Sequence, residues 1–158
     1  MKLSKEKTKI IKNVIKNSVK LIFENDFVLL KNNIHEQDIS HRLAYYMENL
    51  LNNYSWFRQS KLSVDVEYNR NITNVKMIDN DNCRPDVIVH ERNTNENNII
   101  VIEIKKDNES DSKDFNKLKS FTKITQENQY KYKMGLYLSF STKGKKGVYK
   151  YFENGEQK

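Results

Sequence analysis

The stretch "RPDVIVHERNTNENNIIVIEIKK", Arg84 to Lys106, decides the fold. Its second half reads as a core β-strand, Ile99 to Lys105, until Glu103 and Lys105 interrupt the apolar run. Its first half opens with the chain's only proline and Asp86, then runs apolar through Val87, Ile88 and Val89. Between them "ERNTNENN" is a turn-rich connection. Side chains two apart in a strand point to the same face. Glu103 and Lys105 therefore share a face with Val101, while Ile100, Ile102 and Ile104 line the other. Asp86 shares its face with Ile88. If the strands pair as an antiparallel hairpin, Asp86 opens one where Glu103 and Lys105 finish the other, and the three polar groups converge. An unpaired buried carboxylate is costly. Two carboxylates and an ammonium at one end of a sheet make sense if they share a cation and a substrate.

Outward from this hairpin, apolar residues recur at helical spacing from Ser4 to about Glu24 (Ile10, Ile11, Val14, Ile15, Val19, Ile22, Phe23), which predicts an amphipathic helix. After Asn32-Asn33 a second helix is expected from about His35 to Leu51, with Ile39, Leu43, Tyr46, Met47 and Leu50 as its stripe. "LSVDVEYNR", Leu62 to Arg70, alternates as a strand does, and Asn71 to Arg84 reads as a loop or extended hairpin. Asp111 to about Gln126 returns to helical spacing through Phe115, Leu118, Phe121, Thr122 and Thr125. "MGLYLSF", Met134 to Phe140, is a further strand, and "STKGKKG" turns into a short last one, "VYKYF". This order predicts an α/β fold of the mixed α+β kind, a central mixed β-sheet flanked by helices.

The pair "RPD" and "EIK", with Glu103 seventeen residues after Asp86, resembles the PD-(D/E)XK nuclease superfamily. That pattern has a Pro-Asp opening one strand and an acid-x-Lys on the next. The segments "HEQDISHRLAYYME" and "VDVEYNR" look like an uncharacterised bacterial and phage branch of it. The resemblance runs from about His35 to Phe140 and implies a restriction-endonuclease-like core. It also implies a Mg²⁺-dependent nuclease, with Mn²⁺ a possible substitute, that hydrolyses phosphodiester bonds in nucleic acid, DNA before RNA. Asp86 and Glu103 would be the metal ligands, with the Ile104 carbonyl a third. Lys105 would orient the attacking water or neutralise charge on the phosphate. A hard cation such as Mg²⁺ prefers oxygen ligands and usually takes only one or two carboxylates. The bland alternative is an aspartate capping one strand and a Glu–Lys ion pair ending the other.

Many members of the superfamily add an acid on the helix before the meander. Here Glu36 lies about 20° from Leu43 around the helix and Glu48 about 140° away, so Glu36 faces the sheet. A first-turn glutamate complementing the helix dipole explains Glu36 as well, and Glu67 is another option. Arg42, Arg84, Lys106, Lys117 and Gln126 are candidate nucleic-acid contacts. Gln126 and Tyr130 resemble a glutamine-tyrosine element of some exonuclease branches, with aromatic packing the alternative for Tyr130. Lys113, Lys117, Lys119 and Lys123 make the crossover helix basic, which is usually a solvated face but can track a phosphate backbone. His35 and His90 lack the spacing of a zinc pair and read as structural or surface residues.

At 158 residues one domain is expected, with a helical extension over 1–34, a core over 35–140 and a closing turn and strand over 141–158. The net charge of +7 suits a polyanionic partner or a lysine-rich solvated surface, and charge alone does not choose. Cys83, the only cysteine, excludes a disulfide framework and a cysteine zinc cluster and suits a reducing, cytoplasmic setting. Met1 to Lys20 lacks the apolar run of a signal peptide, and no apolar stretch approaches membrane-spanning length. No membrane partner is expected. A homodimer is plausible by analogy with small nucleases that cut both strands.

Overall fold

The computed structural model describes residues 3–32, 35–78, 81–108, 110–126 and 128–158. Helix α1 spans Lys5–Asn25 and starts at Ser4, whose hydroxyl accepts the Lys7 amide at 3.2 Å, an N-cap bond. It buries Ile11, Val14, Ile15, Val19 and Ile22 along one stripe. A five-residue helix α2, Phe27–Lys31, follows, and α3 spans Glu36–Leu51 with Ile39, Leu43, Met47 and Leu51 buried. The single-turn α4, Ser55–Arg58, precedes the strands. Neither α2 nor α4 was expected, because four or five residues are too few to display a helical period. Asn33 and Ile34, at the expected boundary between extension and core, lie outside the described residues.

Strand β1, Leu62–Val66, stops where Glu67 turns to a φ of 50°, short of the expected end at Arg70. The polar stretch behind it forms two small antiparallel ladders, β2 (Arg70–Asn71) with β3 (Asn74–Val75) and β4 (Met77–Ile78) with β5 (Asp81–Asn82). It is thus two short hairpins in succession rather than the one extended hairpin or loop expected, and Asp79 and Asn80 of the second lie outside the described residues. Then come β6 (Val87–Glu91), β7 (Ile100–Lys106), α5 (Ser112–Thr122), β8 (Met134–Ser141), β9 (Lys146–Glu153) and β10 (Glu156–Gln157). The main sheet runs β1-β6-β7-β8-β9-β10, and only β7 and β8 pair in parallel. That pair needs a crossover, which α5 supplies. The fold is a mixed α+β one, with a mostly antiparallel sheet flanked by helices.

Helices α1 and α3 cover one face, where Val87, Val89, Ile100, Ile102 and Ile104 join Leu136, Leu138 and Phe140. On the other face α5 packs Leu118 and Phe121 against Ile88, Val101, Tyr137 and Phe152. With both faces covered, β7 can be a near-continuous apolar run. Each isoleucine so buried contributes about 1.5–3 kcal/mol. Gly135 lets α5 sit close, since a Cβ there would lie 3.2 Å from Thr122 and 3.3 Å from Leu118.

The crossover helix ends at Thr122, four residues before the expected Gln126. Side chains beyond its last turn end it: Asn128 donates to the Ser120 and Phe121 carbonyls at 3.0 and 3.4 Å, and the distant Asn154 accepts the Ile124 amide at 3.1 Å. Among the described residues no helix is long and apolar enough to cross a membrane.

Candidate active site

The register of β6 on β7 pairs Val87 with Ile102, so one step further places Asp86 opposite Glu103. Both stand on the face that carries Ile88 and Val101, beneath α5. Asp86 Oδ2 accepts the Ile104 amide at 2.6 Å, tying the start of β6 to the end of β7. In an extended strand a residue's N–H and C=O lie on the same edge. The Ile104 carbonyl therefore also faces this edge, where the register would set Pro85 opposite, and proline has no N–H to offer.

Glu103 is only 2% exposed. Its Oε2 lies 3.3 Å from Lys117 Nζ, while its Oε1 is buried with no hydrogen-bond partner. Burial raises the Glu103 carboxyl well above the ordinary range, and the Asp86 charge raises it further. Burial also raises Asp86, to about 6, against the opposing pull of the Ile104 amide. Burial and the Asp86 charge thus make an ionised Glu103 costly, a cost that a nearby positive charge would relieve.

Lys105, at the end of the same strand, is held from two sides. Its Nζ lies 3.4 Å from Glu36 Oε2 and 3.4 Å from Asp114 Oδ2. Burial works to lower this ammonium's pKa, but Asp114 and Glu36 outweigh it, and the group stays charged. Glu36 Oε1 also accepts the Lys106 amide at 3.2 Å, so the first residue of α3 grips the end of β7. Glu36 thus reaches Lys105 from the α3 side of the sheet.

The residue that sequence reading missed is Asp114. It is 3% exposed in the first turn of α5, where its amide bonds the Asp111 carboxylate at 3.1 Å. Its Oδ1 lies 2.9 Å from Lys117 Nζ. The signal was present: Asp114 precedes Leu118 by four and Phe121 by seven, on the buried stripe, the same test that selected Glu36. Lys117, a candidate nucleic-acid contact on the basic crossover helix, differs from its neighbours: Lys113, Lys119 and Lys123 are exposed, whereas Lys117 turns inward between Asp114 and Glu103.

The cluster therefore holds Glu36, Asp86, Glu103 and Asp114 against Lys105 and Lys117. With all six ionised, two negative charges stand uncompensated in a largely buried place, which calls for protons or a cation. Among the described residues no set of three or more His, Cys, Asp and Glu side chains is arranged to hold a metal ion. A cation here would rest on Asp86, Glu103 and main-chain or solvent oxygens, a donor set that fits Mg²⁺.

Beside the cluster opens a cleft of about 620 Å³, lined by Asn82, Cys83, Arg84, Lys113, Asn116 and Lys117 among others. Arg84 stands exposed at its wall, with Nη1 3.7 Å from Glu67 Oε2. Glu67 accepts from Gln37 at 2.8 Å and belongs to that surface contact rather than to the acid cluster. Cys83 is buried, and burial pushes its thiol up to about 11, which keeps it a neutral bystander.

Other candidates lie elsewhere. Arg42 is committed to Asp26 at 3.0 Å and to the Tyr46 hydroxyl at 2.8 Å, joining α3 to the end of α1. Lys106 donates to the Asn32 carbonyl at 3.3 Å. Gln126 is exposed beyond the end of α5, and Tyr130 is a core residue whose hydroxyl bonds the Met77 backbone at 2.8 Å. His90 is buried with its Nε2 2.8 Å from Asp65, a structural pair. Compared with family models, curated proteins and solved structures, the chain finds no match.

Proposed function

We propose that the chain is a Mg²⁺-dependent nuclease of the PD-(D/E)XK kind, hydrolysing phosphodiester bonds in nucleic acid, with DNA the first substrate to test. One observation carries the reading: Asp86, Glu103 and Lys105 stand at one end of β6 and β7, with Glu103 Oε1 buried and bare. The order α3, β1, β6, β7, α5, β8 supports it, since a helix, a three-strand meander, a crossover helix and a parallel strand make up a restriction-endonuclease-like core.

In this reading Asp86 and Glu103, with the Ile104 carbonyl, hold the ion. Bound Mg²⁺ supplies Lewis-acid polarisation of the phosphate and acidifies a water. The chain's own residues do the rest. Asp86 stays oriented by the Ile104 amide, so the carboxylate needs no reorganisation to bind. Lys105, clamped by Asp114 and Glu36, presents a fixed positive charge where negative charge builds on the phosphate or where the attacking water must be oriented. Arg84 and Lys113 give the adjoining cleft a basic wall for a phosphate backbone.

Purified protein incubated with plasmid and single-stranded DNA, with and without Mg²⁺, tests this. Metal-dependent cutting that an Asp86→Ala, Glu103→Ala double variant lacks is the expected result. Equal products from both proteins would remove the enzymatic reading. A second reading, a nuclease-like fold that binds nucleic acid or a protein without cutting, is favoured by one observation. Lys117 already neutralises Glu103. On that reading a gel shift is insensitive to Mg²⁺ and the double variant binds as well as wild type.

A further inference from the structure

Lys117 stands where the proposed ion would be needed. Its ammonium lies 3.3 Å from Glu103 Oε2 and 2.9 Å from Asp114 Oδ1. It is an incomplete substitute for a divalent ion on two counts. It brings one positive charge to a place shared by Asp86, Glu103 and Asp114. It also serves only one oxygen of Glu103, leaving Oε1 buried and without a partner.

The way it is held makes it releasable. Asp114 and Lys117 sit three apart on α5, on neighbouring positions of one helix face. Losing the contact with Glu103 therefore leaves Lys117 its shorter bond to Asp114. The side chain also has somewhere to go, since Lys117 lines the 620 Å³ cleft together with Lys113 and Arg84.

We propose that Lys117 is a built-in counter-ion of the acid cluster, occupying Glu103 in the metal-free protein and competing with the divalent cation for it. This rests on the reading of Asp86 and Glu103 as metal ligands, and it adds a regulation of that site. The internal ammonium sets the metal concentration at which the site fills.

The test is calorimetric titration of MnCl2 alone into the metal-free full chain, for wild type, Lys117→Met and an Asp86→Asn, Glu103→Gln double variant. Removing a competing charge a few ångströms from the ligands should tighten Mn²⁺ binding by roughly tenfold or more in Lys117→Met. The double variant should show no binding. Thermal unfolding gives a second reading: Lys117→Met should melt lower than wild type without metal and gain more from added Mn²⁺. Lys117→Gln keeps a donor for Asp114 and serves if the methionine variant does not fold, with the same expectation. Wild-type binding that Lys117→Met matches or weakens would overturn the counter-ion while leaving the metal site standing. No binding in wild type, Lys117→Met or Lys117→Gln would overturn the metal site and the counter-ion together.

Discussion

Ile102 and Glu103 are neighbours on β7, one fully buried and the other 2% exposed, yet they face opposite halves of the molecule. Ile102 points into an apolar layer beneath α1 and α3, where Val87, Val89 and Leu136 belong to the same core cluster. Glu103 points toward α5, where its surroundings are Asp86, Asp114, Lys117 and an oxygen left unbonded. The first layer stabilises the fold by removing carbon from water. The second does the opposite: it holds charges in a low-dielectric place, which a chain tolerates where those charges have work to do. One strand thus carries stability on its even-numbered residues and the candidate chemistry on its odd-numbered ones.

The contrast can be broken by exchanging costs between the two faces. The largest effect expected is on cleavage: Asp86→Ala with Glu103→Ala should lower metal-dependent cutting by roughly a hundredfold or more. The same change should leave the urea midpoint equal or higher, because it removes two strained carboxylates. A loss of stability comparable to a core deletion would instead make these residues part of the scaffold. Next, Ile102→Ala should cost about 2–5 kcal/mol by urea unfolding. The protein that remains folded should keep its cutting rate per molecule.

The charged face also gives the fold a pH dependence that the apolar face lacks. Asp86 is held at about 6 in the folded protein against an ordinary 3.8. The folded state therefore keeps a proton that the unfolded chain gives up, and the stabilisation is fully present below about pH 4 and lost as pH rises through 6. Glu103, raised in the same direction, adds to the fall. Asp65 has the reverse slope, because Arg92 and His90 outweigh its burial and hold it low, so its contribution fades as pH falls. Comparing wild type with Asp86→Asn cancels Asp65. Between pH 4 and 7 the metal-free wild type should lose up to about 3 kcal/mol relative to that variant. Parallel pH curves would show that Asp86 is not strained in the fold. The smallest effect belongs to Gln126→Ala, which should stay within about 0.5 kcal/mol in stability and leave cutting unchanged.

Much of this was legible in Arg84 to Lys106 alone. Strand periodicity separated Ile100, Ile102 and Ile104 from Val101, Glu103 and Lys105, and the two core clusters divide the apolar ones in the same way. Helical angle put Glu36 toward the sheet, where it meets Lys105. Asp114 escaped because the helix was read by its apolar positions, and a buried acid does not count among them. Lys117 was singled out as a nucleic-acid contact, but its place between Asp114 and Glu103 was hidden, because Glu103 lies on another element.

Lys76 could not be found locally at all. It is 2% exposed, donates to the Tyr132 hydroxyl at 3.0 Å and lies among the Tyr68, Phe121, Tyr130 and Tyr132 rings. Burial lowers it to about 8. Those partners come from three separate parts of the chain, which no periodicity in "NVKMI" announces. The end of α5 was hidden in part for the same reason, since Asn154, which accepts the Ile124 amide, comes from far along the chain.

Whether the charged end of β6 and β7 seats a divalent cation can be seen by anomalous diffraction from crystals soaked in millimolar Mn²⁺. One ion bonded to Asp86 and Glu103, with Lys117 withdrawn from Glu103, is the expected result. A difference map with no ion there, and Lys117 still on Glu103, would contradict it.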